Sequence, residues 1–324
     1  MPRPDAQTIR QNLRAWFLKN GRDLPWRRTR DPYAIMVSEF MLQQTTVAAV
    51  VPYFERWMAA FPTAEALARA DEQAVLHLWQ GLGYYSRARN LHKAAKAITS
   101  EYDGIVPREV EALRGLPGVG DYTAGAVAAF AFDAAVPVVD ANIARVLARL
   151  NDYRKPIDDA AGKAFLTQAA TDLLPEKGGL LHTSALMELG ALVCLARKAM
   201  CSGCPVKTQC KAIDPESLPI KRPRKETTHL MEKRAFVLAR DKLWLEPSIG
   251  ARWKGMWLMP ESAGASRPAE HVEVYPITRY RITMHVFEES SREGLRGFSV
   301  DGLPPMPSPH RRAVEAMLRR IGKR

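Results

Sequence analysis

Cys194-Leu195-Ala196-Arg197-Lys198-Ala199-Met200-Cys201-Ser202-Gly203-Cys204-Pro205-Val206-Lys207-Thr208-Gln209-Cys210 holds every cysteine of the 324-residue chain. The spacing is C-x6-C-x2-C-x5-C, and four thiolates this close in sequence can ligate one metal centre. Zinc sites usually pair two C-x2-C knuckles across a longer gap. Here only Cys201 and Cys204 form such a pair, and the longer loops around them suit the larger cubane of a 4Fe–4S cluster. Buried free cysteine is the plain alternative, but four of four within 17 residues argues against it. A disulfide pair is not expected in a chain without a secretion signal. Lys198, Lys207 and Lys211 sit among the cysteines and can present cations to phosphate.

The surrounding composition fits that picture. Hydrophobic residues make up 47% of the chain, enough for a substantial core. Net charge is +12, which favours a polyanionic partner such as nucleic acid over a merely soluble basic protein. No run of about 18 apolar residues appears, so no membrane partner is expected, and the protein is expected in the cytoplasm where it is made.

Upstream of the cysteines the periodicity is helical, with Gly and Pro punctuating the segments. Helices are expected over Ala6–Lys19, Pro32–Val50, Ala64–Gln80, Ser86–Glu101, Arg108–Arg114, Tyr122–Phe132, Ala141–Leu150 and Lys163–Leu174. Residues 214–233 carry Pro215, Pro219, Pro223 and the run Lys221, Arg222, Arg224, Lys225, and read as an exposed basic linker. Beyond it, Arg234–Ala239, Leu243–Glu246, Glu273–Pro276 and Tyr280–Phe287 read as strands. Ser308-Pro309 opens a last amphipathic helix with Val314, Met317, Leu318 and Ile321 on one side. The expected organisation is a mainly α domain over 1–213, a linker over 214–233, and a small α+β domain over 234–324.

Two segments carry chemistry besides the cysteines. Leu116-Pro117-Gly118-Val119-Gly120 lies between two helical stretches, and its glycines let backbone N–H groups approach a phosphate. A plain turn also favours Pro-Gly. Glu39 lies among Ile35, Met36, Val37, Phe40, Met41 and Leu42. A lone acid in such a run is costly unless paired or protonated, and desolvation raises its pKa as a general acid requires. Asp140, ahead of the helix at Ala141–Leu150, reads on its own as an N-cap.

The cysteine spacing resembles the 4Fe–4S loop of the endonuclease III superfamily of DNA glycosylases. Leu116–Gly120 resembles the turn of that superfamily's helix–hairpin–helix motif. Ser38-Glu39-Phe40-Met41-Leu42-Gln43-Gln44-Thr45, Leu24-Pro25-Trp26-Arg27 and Gly81-Leu82-Gly83-Tyr84-Tyr85-Ser86-Arg87 are similar to stretches of the MutY family of adenine DNA glycosylases. Together these resemblances run through residues 10–213, about two-thirds of the chain.

The resemblance implies a helix–hairpin–helix glycosylase domain with an iron–sulfur loop at 194–210, followed by a Nudix-like lesion-recognition domain. It implies a 4Fe–4S cofactor held by Cys194, Cys201, Cys204 and Cys210. Its implied partner is double-stranded DNA carrying adenine opposite 8-oxoguanine or guanine, and a monomer is expected. Glu39 would protonate N7 of the flipped adenine. Asp140 stands about twenty residues after the hairpin, where the superfamily carries its catalytic aspartate, and would stabilise the cationic sugar. Asn142 and Tyr122 would help to place water and carboxylate. Bifunctional relatives carry a nucleophilic lysine where this chain has Tyr122, so a monofunctional hydrolase is expected. Gln44 and Tyr84 would wedge into the duplex, with Gln43, Leu82, Arg87, Gly118, Val119 and Gly120 as further DNA contacts. Trp26, Arg27, Leu42 and Ser184 would line the base pocket.

Trp253–Pro260 resembles the Nudix-like domain's strand signature, but no Nudix catalytic box is present, so no pyrophosphohydrolase activity is expected. The family's lesion-reading loop carries Phe-Ser-His. The expected placement puts Arg281, Ile282 and Thr283 there, followed by Met284 and His285, with Thr283 and His285 as lesion contacts. Ala141 replaces a usual glycine, and Thr183-Ser184 stands where the family has Asn followed by Gln or Glu. Two rivals stay open: a thymine- or uracil-mismatch glycosylase of the same superfamily, and a non-catalytic iron–sulfur DNA-binding protein. Two placed carboxylates argue against the second.

Overall fold

The computed structural model describes residues 5–223, 226–264, 267–290 and 293–322. It divides into two compact units. One takes the described residues up to Glu65 together with Lys93–Pro223, and the other takes Ala66–His92 together with the described residues beyond 223.

The first unit is helical. Its elements are α1 (Ala6–Asn20), α2 (Pro32–Leu42), α3 (Val47–Ala60), most of α6 (Ser86–Glu101), α7 (Val110–Gly115), α8 (Asp121–Phe132), α9 (Ala141–Leu150), α10 (Ala160–Asp172) and α11 (Gly179–Leu192). The helix α4 (Ala64–Arg69) begins here and continues into the second unit, to which α5 (Glu72–Trp79) belongs. Aspartate starts many of these helices. Asp5, Asp31, Asp71, Asp140 and Asp159 each turn a carboxylate back onto a backbone N–H of the first turn, satisfying a donor that would otherwise lack a partner. Ile9 and Leu13 of α1, Ile143 and Leu147 of α9, Leu166 of α10 and Leu189 of α11 close a buried core.

The expected single helix over Pro32–Val50 is two helices. Gln44 adopts a left-handed φ of 57° and breaks α2 from α3, a conformation that costs any residue with a side chain. Helix α11 is covered only by the general helical reading of the chain upstream of the cysteines, with no bounds of its own. It is buried at most positions from Gly179 through Gly190, and its polar residues His182, Thr183, Ser184 and Glu188 are buried with the apolar ones, so it lacks the wet polar face that marks a helix by periodicity.

The second unit holds two small sheets. In one, β6 (Tyr280–Glu288) lies between β1 (Thr228–Phe236), which runs parallel to it, and β5 (His271–Ile277), which runs antiparallel. In the other, β3 (Lys242–Pro247) pairs with β2 (Leu238–Ala239), β4 (Trp257–Leu258) and β7 (Arg296–Ser299). Helix α12 (Ser308–Arg320) packs on β5 and buries Val314, Met317 and Leu318, while Ile321 falls just past its end. The segment Ala66–His92 joins this unit through Gln73 Nε2 donating to the Gly255 carbonyl (2.9 Å) and Arg89 Nη1 donating to the Lys254 carbonyl (2.7 Å).

Two sequence expectations are corrected here. Residues 214–233 are not a free linker: Leu218 is buried, its carbonyl accepts from Arg149 Nε, the Ile220 carbonyl accepts from Ile157 N, and 228–233 form the first part of β1. Arg224 and Lys225 lie outside the described residues. Thr283 and His285 are not in a loop either. They sit inside β6, flanked by buried Ile282 and Met284, and the turn of the β5–β6 hairpin is at Thr278-Arg279. Among the described residues no helix is long and apolar enough to cross a membrane.

Candidate active site

Helix α2 is buried from Tyr33 to Met41, and Glu39 is carried inside with its apolar neighbours. Its carboxyl is 4% exposed and opens onto a cavity of about 850 Å³, within the usual size of a small-molecule site. Tyr122, in the first turn of α8, donates its hydroxyl hydrogen to Glu39 Oε2 (2.9 Å). Burial pushes the Glu39 pKa up to about 7, and the nearby Asp140 pushes the same way, while the Tyr122 hydrogen bond opposes both. Glu39 is therefore a carboxylic acid poised near neutral pH, the condition for a general acid. Burial also lifts the Tyr122 hydroxyl well above its ordinary range, so it stays a donor.

Asp140 caps α9. One carboxylate oxygen accepts from Ile143 N (2.6 Å) and the other from Asn142 Nδ2 (2.9 Å). Burial raises its pKa, and these donors together with Arg145 hold it back. The N-cap reading is thus correct, and the same carboxylate also lines the cavity. Asn142 is fixed in turn by Arg145 Nη2 (3.0 Å), whose guanidinium also donates to the Cys194 carbonyl (2.7 Å) and the Gly190 carbonyl (2.7 Å). Gly190 must be glycine for this approach, because a Cβ there would lie 2.6 Å from the Asn142 Cβ.

The cavity contains a second buried acid that the sequence reading passed over. Glu188 of α11 is fully buried and accepts from Arg22 N (2.9 Å), Arg22 Nε (2.7 Å), Arg22 Nη2 (3.0 Å) and Arg27 Nη2 (2.8 Å). These donors overcome desolvation and hold its pKa down to about 2. The clue was available: Glu188 lies in the apolar run 184–192, the same pattern that singled out Glu39.

The remaining candidates divide by place. Trp26, Arg27, Leu42, Gln43, Gln44, Asn142 and Ser184 line the cavity with Glu39, Tyr122 and Asp140. Gly118, with φ 79°, and Gly120 are exposed in the turn between α7 and α8, while Val119 is buried. Tyr84 is 45% exposed in the second unit. Leu82 and Arg87 are not surface groups. Leu82 is buried, and Arg87 is 6% exposed with its guanidinium on the Leu82 and Gly83 carbonyls.

Cys194, Cys204 and Cys210 pack against the first unit's core, and Cys201 is exposed. Burial lifts the Cys204 thiol to about 11, and Cys194, Cys210 and Cys201 all push it the same way, so the four sulfurs share one electrostatic environment. Arg149, 1% exposed, donates to Cys194 Sγ (3.3 Å) and to the carbonyls of Leu195 (2.7 Å), Ala196 (3.3 Å) and Leu218 (3.1 Å). None of these acceptors is a carboxylate. A buried guanidinium against Cys194 Sγ suits a sulfur held there as a thiolate, the form that ligates a metal. Among the described residues no three His, Cys, Asp or Glu side chains converge on a single metal ion.

Residues 37–166 match the family described as HhH-GPD superfamily base excision DNA repair protein. Over those residues the chain is similar to helix–hairpin–helix base-excision proteins. The chain is 33% identical over 251 residues to an adenine DNA glycosylase of Buchnera aphidicola subsp. Acyrthosiphon pisum, covering 76% of this chain and 72% of that protein. It is 47% identical over 195 residues to one of Mycolicibacterium smegmatis, covering 60% and 66%, and 44% identical over 218 residues to one of Rattus norvegicus, covering 64% and 42%. The chain belongs to the adenine DNA glycosylase family, though the match spans less than half the length of the rat relative. Among solved structures it is similar to a thermostable thymine-DNA glycosylase, at TM-score 0.57 and 28% identity over 64% of this chain and 95% of that one. It is also similar to an endonuclease III in a non-covalent DNA complex, at TM-score 0.54 and 25% identity over 64% and 95%.

Proposed function

We propose that the protein removes adenine from mispairs with 8-oxoguanine or guanine in duplex DNA, by hydrolysis of the N-glycosidic bond. The observation that carries this is the Glu39–Tyr122 pair, an acid held near neutral pKa against a non-nucleophilic phenol in a cavity of about 850 Å³. Glu39 gives its proton to N7 of the extruded adenine. The C1′–N9 bond breaks with its electron pair going to the base, and Asp140 stabilises the cationic sugar. Water adds at C1′ and loses its proton to the carboxylate left on Glu39, and an abasic site remains. With Tyr122 in place of an amine, no Schiff base forms there.

Cys194, Cys201, Cys204 and Cys210 would hold a 4Fe–4S cluster, which would supply a cross-link for the 194–210 loop. The bond-breaking belongs to Glu39 and Asp140. The α+β unit is a Nudix-like reader of the base opposite the adenine. Support for adenine over thymine comes from the named relatives and from the poised acid.

The test is single-turnover release of adenine from a duplex holding one 8-oxoguanine:adenine pair. Release by the wild type and none by Asp140→Asn is expected. Asparagine still caps α9, so binding should survive. Wild type that releases thymine and no adenine would overturn the reading.

A further inference from the structure

Trp79, Gly81, Leu82, Gly83, Tyr84 and Arg87 build a small device in the second unit. Gly81 (φ 107°), Gly83 (φ 71°) and Tyr84 (φ 48°) all have left-handed backbone. Glycine takes that conformation freely, but a tyrosine does so only where its surroundings hold it. The holding groups are visible. Arg87 Nη2 donates to the carbonyls of Leu82 (3.0 Å) and Gly83 (3.0 Å), and Trp79 Nε1 donates to the same Gly83 carbonyl (3.0 Å). The Arg87 guanidinium also lies 5.3 Å from the Trp79 ring centroid and 5.6 Å from that of Tyr84. Trp79 is fully buried and Tyr84 is 45% exposed. One buried cation therefore connects a fixed indole to a ring that faces solvent.

We propose that Arg87 is a positioning residue for Tyr84: it fixes the turn and the ring so that Tyr84 enters the duplex as a rigid wedge, and it makes no DNA contact itself. This rests on the reading of the protein as a base-flipping glycosylase. Its chemistry is specific to arginine. One terminal nitrogen, Nη2, serves both carbonyls while the planar guanidinium lies beside the Trp79 and Tyr84 rings; a lysine ammonium can donate to two carbonyls but has no such plane to pack on the rings. A wedge that arrives ordered loses less freedom on binding than a mobile side chain does.

A double-mutant cycle tests it, on full-length protein with an 8-oxoguanine:adenine duplex. The readouts are single-turnover excision and the fluorescence rise of 2-aminopurine placed beside the mispair. Tyr84→Ala is expected to slow excision and reduce the fluorescence rise. Arg87→Met should slow excision on the order of ten- to a hundredfold in the wild-type background but less than about twofold in the Tyr84→Ala background. Arg87→Lys, which keeps the charge and protects the fold, should give an intermediate loss that also vanishes without Tyr84. Arg87 effects of equal size in both backgrounds would overturn the proposal and assign Arg87 to the fold or to phosphate. An unaffected Tyr84→Ala would overturn it as well, by removing the wedge. Wild type that releases no adenine yet still raises the fluorescence would defeat the proposed reaction while leaving the wedge in place.

Discussion

Replacing Tyr122 with phenylalanine should move the pH dependence of excision in a direction the geometry dictates. Burial and the Asp140 charge raise the Glu39 pKa to about 7, and the hydrogen bond from the Tyr122 hydroxyl lowers it. Phenylalanine keeps the ring and deletes that donor. A hydrogen bond to a charged group is worth roughly 1.5–3 kcal/mol, and one pH unit is about 1.4 kcal/mol, so the Glu39 pKa should rise by about one to two units. In the proposed reaction the rate requires protonated Glu39, so the basic limb of the profile should move from about 7 to about 8–9. At pH 8.5 the wild type should retain about 3% of its own maximum and Tyr122→Phe about a quarter to three-quarters of its own. The maximum itself should fall, because Tyr122 faces the cavity.

The assay is single-turnover release measured from pH 5 to 10, each enzyme normalised to its own maximum. A basic limb that stays put or moves down would refute the assignment of Glu39 as the acid.

Three further outcomes are expected. Glu39 has its folded-state pKa raised from 4.5 to about 7, so the folded state holds the proton more tightly and stability falls as pH rises through that window. Glu39→Gln should then be more stable than wild type by about 3 kcal/mol above pH 7 and equal to it near pH 4.5, read by urea melts at both pH values. Gly190→Ala should push on Asn142 and slow excision by about a hundredfold while duplex binding changes little, measured by single turnover and anisotropy. Cys204→Ser, purified without oxygen, should lose the brown iron–thiolate absorbance and most bound iron; a colourless wild type with stoichiometric zinc would refute the cluster.

What the sequence disclosed depended on whether a residue's environment could be read from its near neighbours. The hairpin glycines, the Asp140 cap and the buried face of α12 are local facts, and they stand in the structure where the sequence puts them. The bounds of helix α11 escaped because its pattern is set by what packs on it. Residues 228–233 look like a linker because their strand is completed by β6, some fifty residues downstream in the register Thr228↔Tyr280. Arg87 reads as a DNA contact for the same reason. Nothing in the chain announces that Trp79 and two carbonyls claim its guanidinium.

Glu39 and Glu188 show where such reading stops. Both are single acids in apolar helical runs, both are buried, and both line one cavity. The argument from desolvation assigns them the same raised pKa. Their pKa values nevertheless lie at about 7 and about 2. The difference lies in their partners. Glu39 receives one neutral hydroxyl and faces a second carboxylate, while Glu188 receives two guanidiniums and a backbone N–H from the loop before α2. One is left able to deliver a proton. The other is a permanent anion that holds Arg22 and Arg27 at the cavity wall. Sequence patterning finds buried acids, but only the donors brought to each by the fold decide which of them does acid chemistry.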